Sequence, residues 1–177
     1  MLIVSYNLIV AYATIKLFIY ICHMKRREVI IDFENSIGPW LGKTVKILEY
    51  HLQELFNQDG LDLTKEQMIV LKRLHNNDGL SQNELAFLTL RNKSSLTRLL
   101  SKMEQKGYIS RQQSKEDKRI NNVFLTQKGK EIFVLTKPVI KKMITKMEKD
   151  ITASEKKQII RILKKIQSNF DSKIESI

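Results

Sequence analysis

Cysteine, proline and glycine are scarce in this sequence, and each scarcity excludes a class of protein. The 177 residues include one cysteine, two prolines and six glycines. The single cysteine, Cys22, cannot form a disulfide within the chain, which excludes a disulfide-stapled secreted domain and favours the cytoplasm. So few helix breakers favour a mainly helical protein. Hydrophobic residues make up 42% of the chain, enough for a buried core.

Acidic residues are also few relative to basic ones. Thirty-one Lys and Arg face nineteen Asp and Glu, a net charge of +12. Such an excess points to polyanions, either nucleic acid or an anionic membrane surface. The densest part is 91–119, with nine basic residues against three acidic ones. The excess over 126–177 is more dilute, and solvated Lys-rich helix faces explain it.

The residue patterns of enzymes and metal sites are missing as well. His23, His51 and His75 are scattered and lack acidic or thiol partners at metal-ligand spacing. No Gly-rich phosphate loop and no Ser/His/Asp set is present. We therefore expect neither an enzyme nor a cofactor.

The first 23 residues are apolar apart from Lys16 and are about long enough to cross a bilayer. Lys25, Arg26 and Arg27 follow, which would place the rest of the chain in the cytoplasm. Two interpretations remain open. Either translation begins at Met24, which we favour over Met1, or residues 1–23 form a membrane anchor.

Short helices are predicted after a first helix that runs from Ser36 to about Asn57. They begin at the capping residues Thr64, Ser81 and Asn92, the first two completed by Gln67 and Glu84 three positions later. The third of these helices ends at Gly107. Alternating residues in 108–112 and 122–126 then predict two strands joined by a charged loop.

The helix after Asn92 has an unusual polar side. Its stripe of Leu96, Leu99, Leu100 and Met103 faces inward, which leaves cations and hydroxyls outside. With the basic loop between the strands, these residues form our candidate DNA-binding set: Lys93, Ser94, Ser95, Thr97, Arg98, Lys102, Lys115, Lys118 and Arg119. A helix fits the major groove, where an Arg such as Arg98 can grip a guanine, while Lys102 suits a phosphate. The loop Lys115–Arg119 could reach the neighbouring minor groove.

Two further helices are predicted after this hairpin. Thr126 caps the first, whose seam is Phe133, Ile140, Met143 or Ile144, Met147 and Ile151. Pro138 lies inside it, so we expect a kink or a break there. Thr152 and Glu155 cap the second, which carries Ile159, Leu163, Ile166 and Phe170 at spacings suited to a partner helix.

A cap, two short helices, a basic helix and a basic hairpin together predict a winged helix-turn-helix that binds double-stranded DNA. The segments 63–74, 80–111, 117–129 and 151–166 resemble the multiple antibiotic resistance regulator (MarR) family of bacterial transcription factors. The most specific part is DKRINNVFLTQKG (117–129), which is similar to the family's wing signature of Asp, any residue, Arg, then Leu-Thr and Gly.

The resemblance implies a fold and an assembly. It implies a mainly α protein with a small β-hairpin wing, in which N- and C-terminal helices form a dimerisation domain. The expected parts are an apolar extension (1–23), an N-terminal dimerisation helix (36–60), a winged helix-turn-helix (61–126) and C-terminal dimerisation helices (127–174). A two-fold homodimer would bind a pseudo-palindromic operator, by family default as a repressor.

The resemblance also implies roles for single residues. Arg119 would be the minor-groove finger, and Asp117 would orient it while pairing with a basic residue such as Arg98. Some relatives bind small aromatic acids between the DNA module and the dimer helices. Trp40, Tyr50, His51 and His75 could line such a pocket, although core or surface positions suit them better.

Two other interpretations compete with cytoplasmic DNA binding. One is a membrane-tethered regulator, with residues 1–23 as its anchor, although we expect no membrane partner. The other is a helical adaptor whose basic face meets an acidic protein or lipid. A steep salt dependence of duplex binding would separate DNA binding from the adaptor.

Overall fold

The computed structural model describes Lys16 and residues 31–114 and 117–170. The chain divides into two compact units, Met1–Gly42 and Lys43–Ile177. Among the described residues, no helix combines the length and the apolarity that a membrane crossing requires. The predictions for residues 1–23, Lys16 apart, and for Lys115 lie outside the described residues.

The first unit contains the segment that leads into α1, the helix Ile37–Gln58, and the first residues of that helix. The Asp32 carboxylate accepts the backbone N–H of Asn35 at 3.0 Å, which closes a turn. The indole N–H of Trp40 donates to the carbonyl of Glu34 at 2.8 Å. This bond links the first turn of α1 to the segment before it.

The second unit is mainly helical with one small sheet. After α1 its elements are α2 (Lys65–Asn76), β1 (Leu80–Ser81), α3 (Gln82–Leu88), α4 (Lys93–Gln105), β2 (Ile109–Gln113), β3 (Asn121–Leu125), α5 (Gln127–Met147) and α6 (Ala153–Gln167). The strands form an antiparallel sheet in the order β1-β3-β2. The predicted fold class, a winged helix-turn-helix with a hairpin wing, is confirmed.

The helix starts follow from side-chain caps. Thr64, Ser81 and Thr152 each form a complete capping box with the residue three positions later. Asn92 accepts the backbone N–H of Ser95 at 2.8 Å, and Thr126 accepts that of Gly129 at 2.9 Å. Each cap satisfies an N–H group that the helix cannot, and all five predicted caps are confirmed.

The sheet contains a strand that the sequence analysis did not predict. β1 has only two residues, and they pair with β3 as Leu80 with Val123 and Ser81 with Asn122. The predicted hairpin is present, with each strand shifted by one residue from its expected bounds. Because Ser81 also caps α3, the sheet and the helix-turn-helix share a residue.

The core lies between α2, α3, α4 and the sheet. Its fully buried side chains include Phe56, Leu71, Leu74, Leu85, Leu96, Leu100, Met103, Ile109 and Val123. They come from α1, α2, α3, α4, β2 and β3, so α4 is fixed on its inner side. α5 adds Phe133, Val139 and Met143 to the same core. Of the two alternatives for the α5 seam, Met143 is the buried one and Ile144 is exposed.

Pro138 does not break its helix, so that part of our expectation was wrong. α5 runs without interruption from Gln127 to Met147 with Pro138 inside it. Proline removes one backbone donor, which leaves the carbonyl of Val134 without its usual partner. Pro138 and Val134 are both exposed, so water can bond to that carbonyl. The solvent-facing position therefore explains why the helix tolerates the proline.

The last helix makes little use of its apolar side within the subunit. α6 has no buried residue, although Leu163 and Ile166 of its predicted seam are half-buried. Ile159, Ile160 and Ile162 expose between 38% and 48% of their surface. On α5 and beyond it, Ile144, Met147 and Ile151 are similarly exposed. These two helices therefore present apolar surface that the single chain leaves uncovered.

Candidate nucleic-acid interface

The recognition helix α4 is amphipathic, and its outer side carries the residues predicted to bind DNA. Leu96, Leu100 and Met103 are buried and fix the orientation of the helix. Five residues of the predicted set are exposed on the other side, namely Lys93, Ser94, Thr97, Arg98 and Lys102. Ser95 is half-buried. The structure thus brings three cations of the predicted set onto one exposed helix face.

The hydroxyls of Ser94 and Thr97 on α4 have local partners. The Ser94 hydroxyl lies 3.0 Å from the side-chain oxygen of the cap Asn92, and the Thr97 hydroxyl donates to the carbonyl of Lys93 at 2.8 Å. A phosphate oxygen is an acceptor, so either hydroxyl must turn away from its partner to bind one. The cations and the backbone N–H groups are therefore the readier anion ligands.

The first turn of α4 lacks the acidic residue that three other helices carry at their start. α2, α3 and α6 each carry a Glu there, as the helix dipole favours. α4 has no acidic residue in its first turn and places Lys93 there instead. The lysine adds to the positive end of the dipole at a cost to helix stability of about 0.3–1 kcal/mol. A lysine at this position also favours an anion bound at the helix start. The first turn of α5, with Lys128 and Lys130, likewise lacks an acidic residue.

Arg91 is a residue of this surface that the sequence analysis missed. Its guanidinium donates to the Ser95 hydroxyl at 3.0 Å and lies 3.9 Å from the Glu66 carboxylate on α2. It borders a cleft of about 320 Å³ between the start of α2 and α4, which Arg98 and Lys102 also line. The sequence could have indicated this role, because Arg91 directly precedes the cap Asn92 and lies four residues before Ser95. Arg91 joins the cationic surface and holds Ser95 in place.

The hairpin tip presents the other predicted residues. Asp117, Lys118 and Arg119 are exposed. The Asp117 carboxylate accepts the backbone N–H of Arg119 at 2.9 Å, and the Asp117 carbonyl accepts that of Ile120 at the same distance. These bonds form a tight turn that fixes the backbone at Arg119. Within the described ranges no ion pair joins Asp117 to Arg98, because the carboxylate is used inside its own turn instead.

Comparison with known proteins finds similarity to bacterial transcriptional regulators. The sequence model described as "MarR family" matches residues 63–120, from α2 to the hairpin tip. The HTH-type transcriptional regulator SarZ of Staphylococcus haemolyticus is 33% identical over 113 residues, which cover 62% of this chain and 74% of that protein.

Solved structures share the fold. A MarR protein from Peptoclostridium difficile superposes with a TM-score of 0.71 at 26% identity, over 79% of this chain and 91% of that one. The MepR–DNA complex of S. aureus gives a TM-score of 0.71 at 23% identity, over 77% and 99% of the two chains. That structure contains the same fold bound to DNA.

Proposed function

The chain belongs to the MarR family of winged helix-turn-helix transcriptional regulators, and on this premise we propose that it binds a pseudo-palindromic operator as a homodimer and represses transcription. The observation that carries the proposal is the cationic face of α4, with Lys93 at the positive end of the helix dipole and Arg98 and Lys102 beside it. This face has the charge and the helical shape that a major groove accepts. The S. aureus MepR–DNA complex supports the same use of the fold.

Each exposed cation has a proposed role. Arg98 reads a base edge in the major groove, and Arg119 enters the minor groove from the hairpin tip. Lys93, Lys102 and Lys118 neutralise phosphates. Asp117 orients Arg119 through the turn. Lys115 also belongs to the proposed set.

The salt dependence of binding tests this assignment. Three phosphate-binding lysines in each of two subunits predict a log–log slope of about −5 for a duplex selected from a random-sequence pool. Lys102→Ala removes two contacts per dimer and should flatten the slope by about 2. Lys157→Ala, on the exposed side of α6, makes the same charge change and should leave the slope unchanged. A flat salt response of the parent protein, or binding to acidic vesicles in place of duplex, would contradict DNA binding.

Two arginine variants separate the contacts. Arg98→Ala should cost about 1–3 kcal/mol of binding free energy and relax the sequence preference. Arg119→Ala should weaken binding and leave the dimer intact. If both variants bind like the parent, these assignments are wrong even where DNA binding holds.

Dimerisation is supported by the apolar surface that α5 and α6 leave uncovered. Exposed isoleucines on α6, which buries no residue within its own chain, together with the exposed Ile144 of α5, are typical of a subunit interface. A second copy related by a two-fold axis would bury them and set the spacing of the two recognition helices. Sedimentation equilibrium of the full chain should give twice the subunit mass. A stable monomer at micromolar concentration would contradict this part of the proposal.

A ligand that releases the DNA is supported by a cavity between α2 and α5. Its volume is about 570 Å³, and Met68, Phe133, Ile140 and Ile144 form its apolar wall. Lys72, Lys137 and Lys141 border it, a combination that suits the ring and the carboxylate of a small aromatic acid. Tyr50, His51 and His75 are not among its lining residues. Salicylate, used as a probe, should lower duplex affinity in the parent protein and have less effect in Lys137→Ala.

A further inference from the structure

An ion pair connects the recognition helix α4 to strand β2 of the hairpin. The Arg111 guanidinium on β2 donates to Glu104 on α4 through Nε at 3.1 Å and through Nη2 at 2.5 Å. Its Nη2 also reaches the Ser101 hydroxyl at 3.3 Å. Both side chains are only partly exposed, at 25% for Arg111 and 39% for Glu104. Among the described residues, this is the ion pair that spans α4 and the hairpin.

The carboxylate also holds the backbone of the strand. β2 is an edge strand of the sheet, so one side of it lacks a neighbouring strand. The N–H of Arg111 donates to the second oxygen of Glu104 at 3.2 Å. Hydrogen bonds from Arg111 keep the pKa of Glu104 below its usual value. Glu104 thus acts on strand β2 through both the side chain and the main chain of Arg111.

Hydrogen bonds between β2 and β3 connect Arg111 to the hairpin tip. Arg111 pairs with Val123, and the ladder continues through Gln112 and Gln113 to the end of the strands. The backbone N–H of Ser114 then bonds to the carbonyl of Ile120 at 2.8 Å, next to Arg119. The hairpin is therefore anchored to α4 near its middle, with the DNA-facing turn beyond the anchor.

We propose that Glu104 and Arg111 are positioning residues that fix the distance between the recognition helix and Arg119. By fixing this distance, they determine how strongly the protein prefers its operator over other DNA. The proposal rests on the DNA-binding function proposed above. A helix in the major groove and a finger in the minor groove can engage one site together only at a fixed separation. The pair fixes that separation without touching a base.

Because Glu104 is charged, one substitution can distinguish a positioning effect from a purely electrostatic effect on DNA affinity. Glu104→Gln removes a negative charge next to the DNA-binding face, so electrostatics alone would raise affinity for all duplexes equally. Positioning predicts instead that the ratio of operator to random-duplex affinity falls, by about tenfold. Arg111→Lys keeps every charge but loses the two-point contact, and it should lower the same ratio with the salt slope unchanged.

A double-mutant cycle with Arg119 provides the decisive measurement. Arg119→Ala should cost the parent about tenfold in operator affinity, and it should cost the Glu104→Gln variant about twofold or less. Glu131→Gln is the matched control, because Glu131 is an exposed glutamate on α5 whose loss changes the charge equally. In that background Arg119→Ala should keep its full cost. Thermal unfolding of each variant reports whether the fold is intact.

The outcomes distinguish this proposal from DNA binding itself. A parent protein that binds no duplex would remove the proposed function and this inference with it. A parent that binds, with an unchanged affinity ratio in Glu104→Gln and Arg111→Lys, would overturn the inference alone. It would also be overturned if Arg119→Ala costs the same in both backgrounds, or costs nothing in the parent.

Discussion

Gly129 lies in the first turn of α5, next to the residue that precedes strand β2 of the hairpin. Replacing it by alanine tests how closely these two segments pack. A Cβ atom built on Gly129 would lie 2.0 Å from the carbonyl oxygen of Tyr108 and 3.0 Å from its carbonyl carbon. Real Cβ contacts stay beyond 3.0 Å, so one backbone must move by about 1 Å. The Tyr108 carbonyl cannot move freely, because it accepts the N–H of Thr126 at 3.1 Å.

The expected cost follows from three contributions. Overpacking against a fixed backbone costs up to about 3 kcal/mol. Stretching the Thr126–Tyr108 hydrogen bond adds about 1 kcal/mol. The better helix propensity of alanine returns about 1 kcal/mol. Gly129→Ala should therefore lower the free energy of unfolding by about 3 kcal/mol.

Gly42→Ala is the matched control with the opposite sign. Gly42 also lies inside a helix, and a Cβ there meets nothing within 4 Å. The same chemical change should stabilise the protein by about 0.5–1 kcal/mol. Urea unfolding at one fixed protein concentration measures both variants, since the stability of a dimer depends on concentration. Equal effects of the two substitutions would refute the contact at Tyr108.

Two further predictions concern charge and proline. Hydrogen bonds from Ser81 lower the pKa of Glu84, and those from Thr152 lower the pKa of Glu155. A lowered folded-state pKa gives stability that is complete above the unfolded value and is lost as pH falls through the folded value, so Glu84→Gln should flatten the loss of stability below about pH 4.5. Unchanged acid unfolding of that variant would argue against the capping box. Pro138→Ala should raise the free energy of unfolding by about 1–3 kcal/mol, measured in urea, because it restores a backbone donor in α5; a loss of stability would show that the proline is favoured there.

The helix starts and the buried stripes could be predicted because their signals are local. Thr64, Ser81 and Asn92 each bond to a residue three positions later, so the pattern is visible in the sequence itself. The stripe of α4 recurs with the helical period. The exposed cations could be predicted from the buried stripe, since a helix that buries Leu96 and Leu100 must turn Arg98 outward.

The remaining features depend on residues that are distant in sequence. β1 has two residues, too few for any alternation, and it exists because β3 lies beside it. Glu104 and Arg111 meet because the chain reverses at Gly107, and no residue pattern shows which charges that reversal brings together. The bond from the Arg119 N–H to the Asp117 carboxylate is of the opposite kind, since a turn offers a carboxylate its own backbone before it offers a distant arginine.

The pairing of β1 with β3 means that the helix-turn-helix cannot be removed from the rest as an independent module. Leu80 and Ser81 immediately precede α3, and their strand partners lie on the far side of α4 and the hairpin tip. A chain truncated before the hairpin would lose the neighbour of Ser81, and the first turn of α3 would start from unsupported backbone. Transferring the whole helix-turn-helix to another scaffold therefore requires the hairpin to be transferred with it.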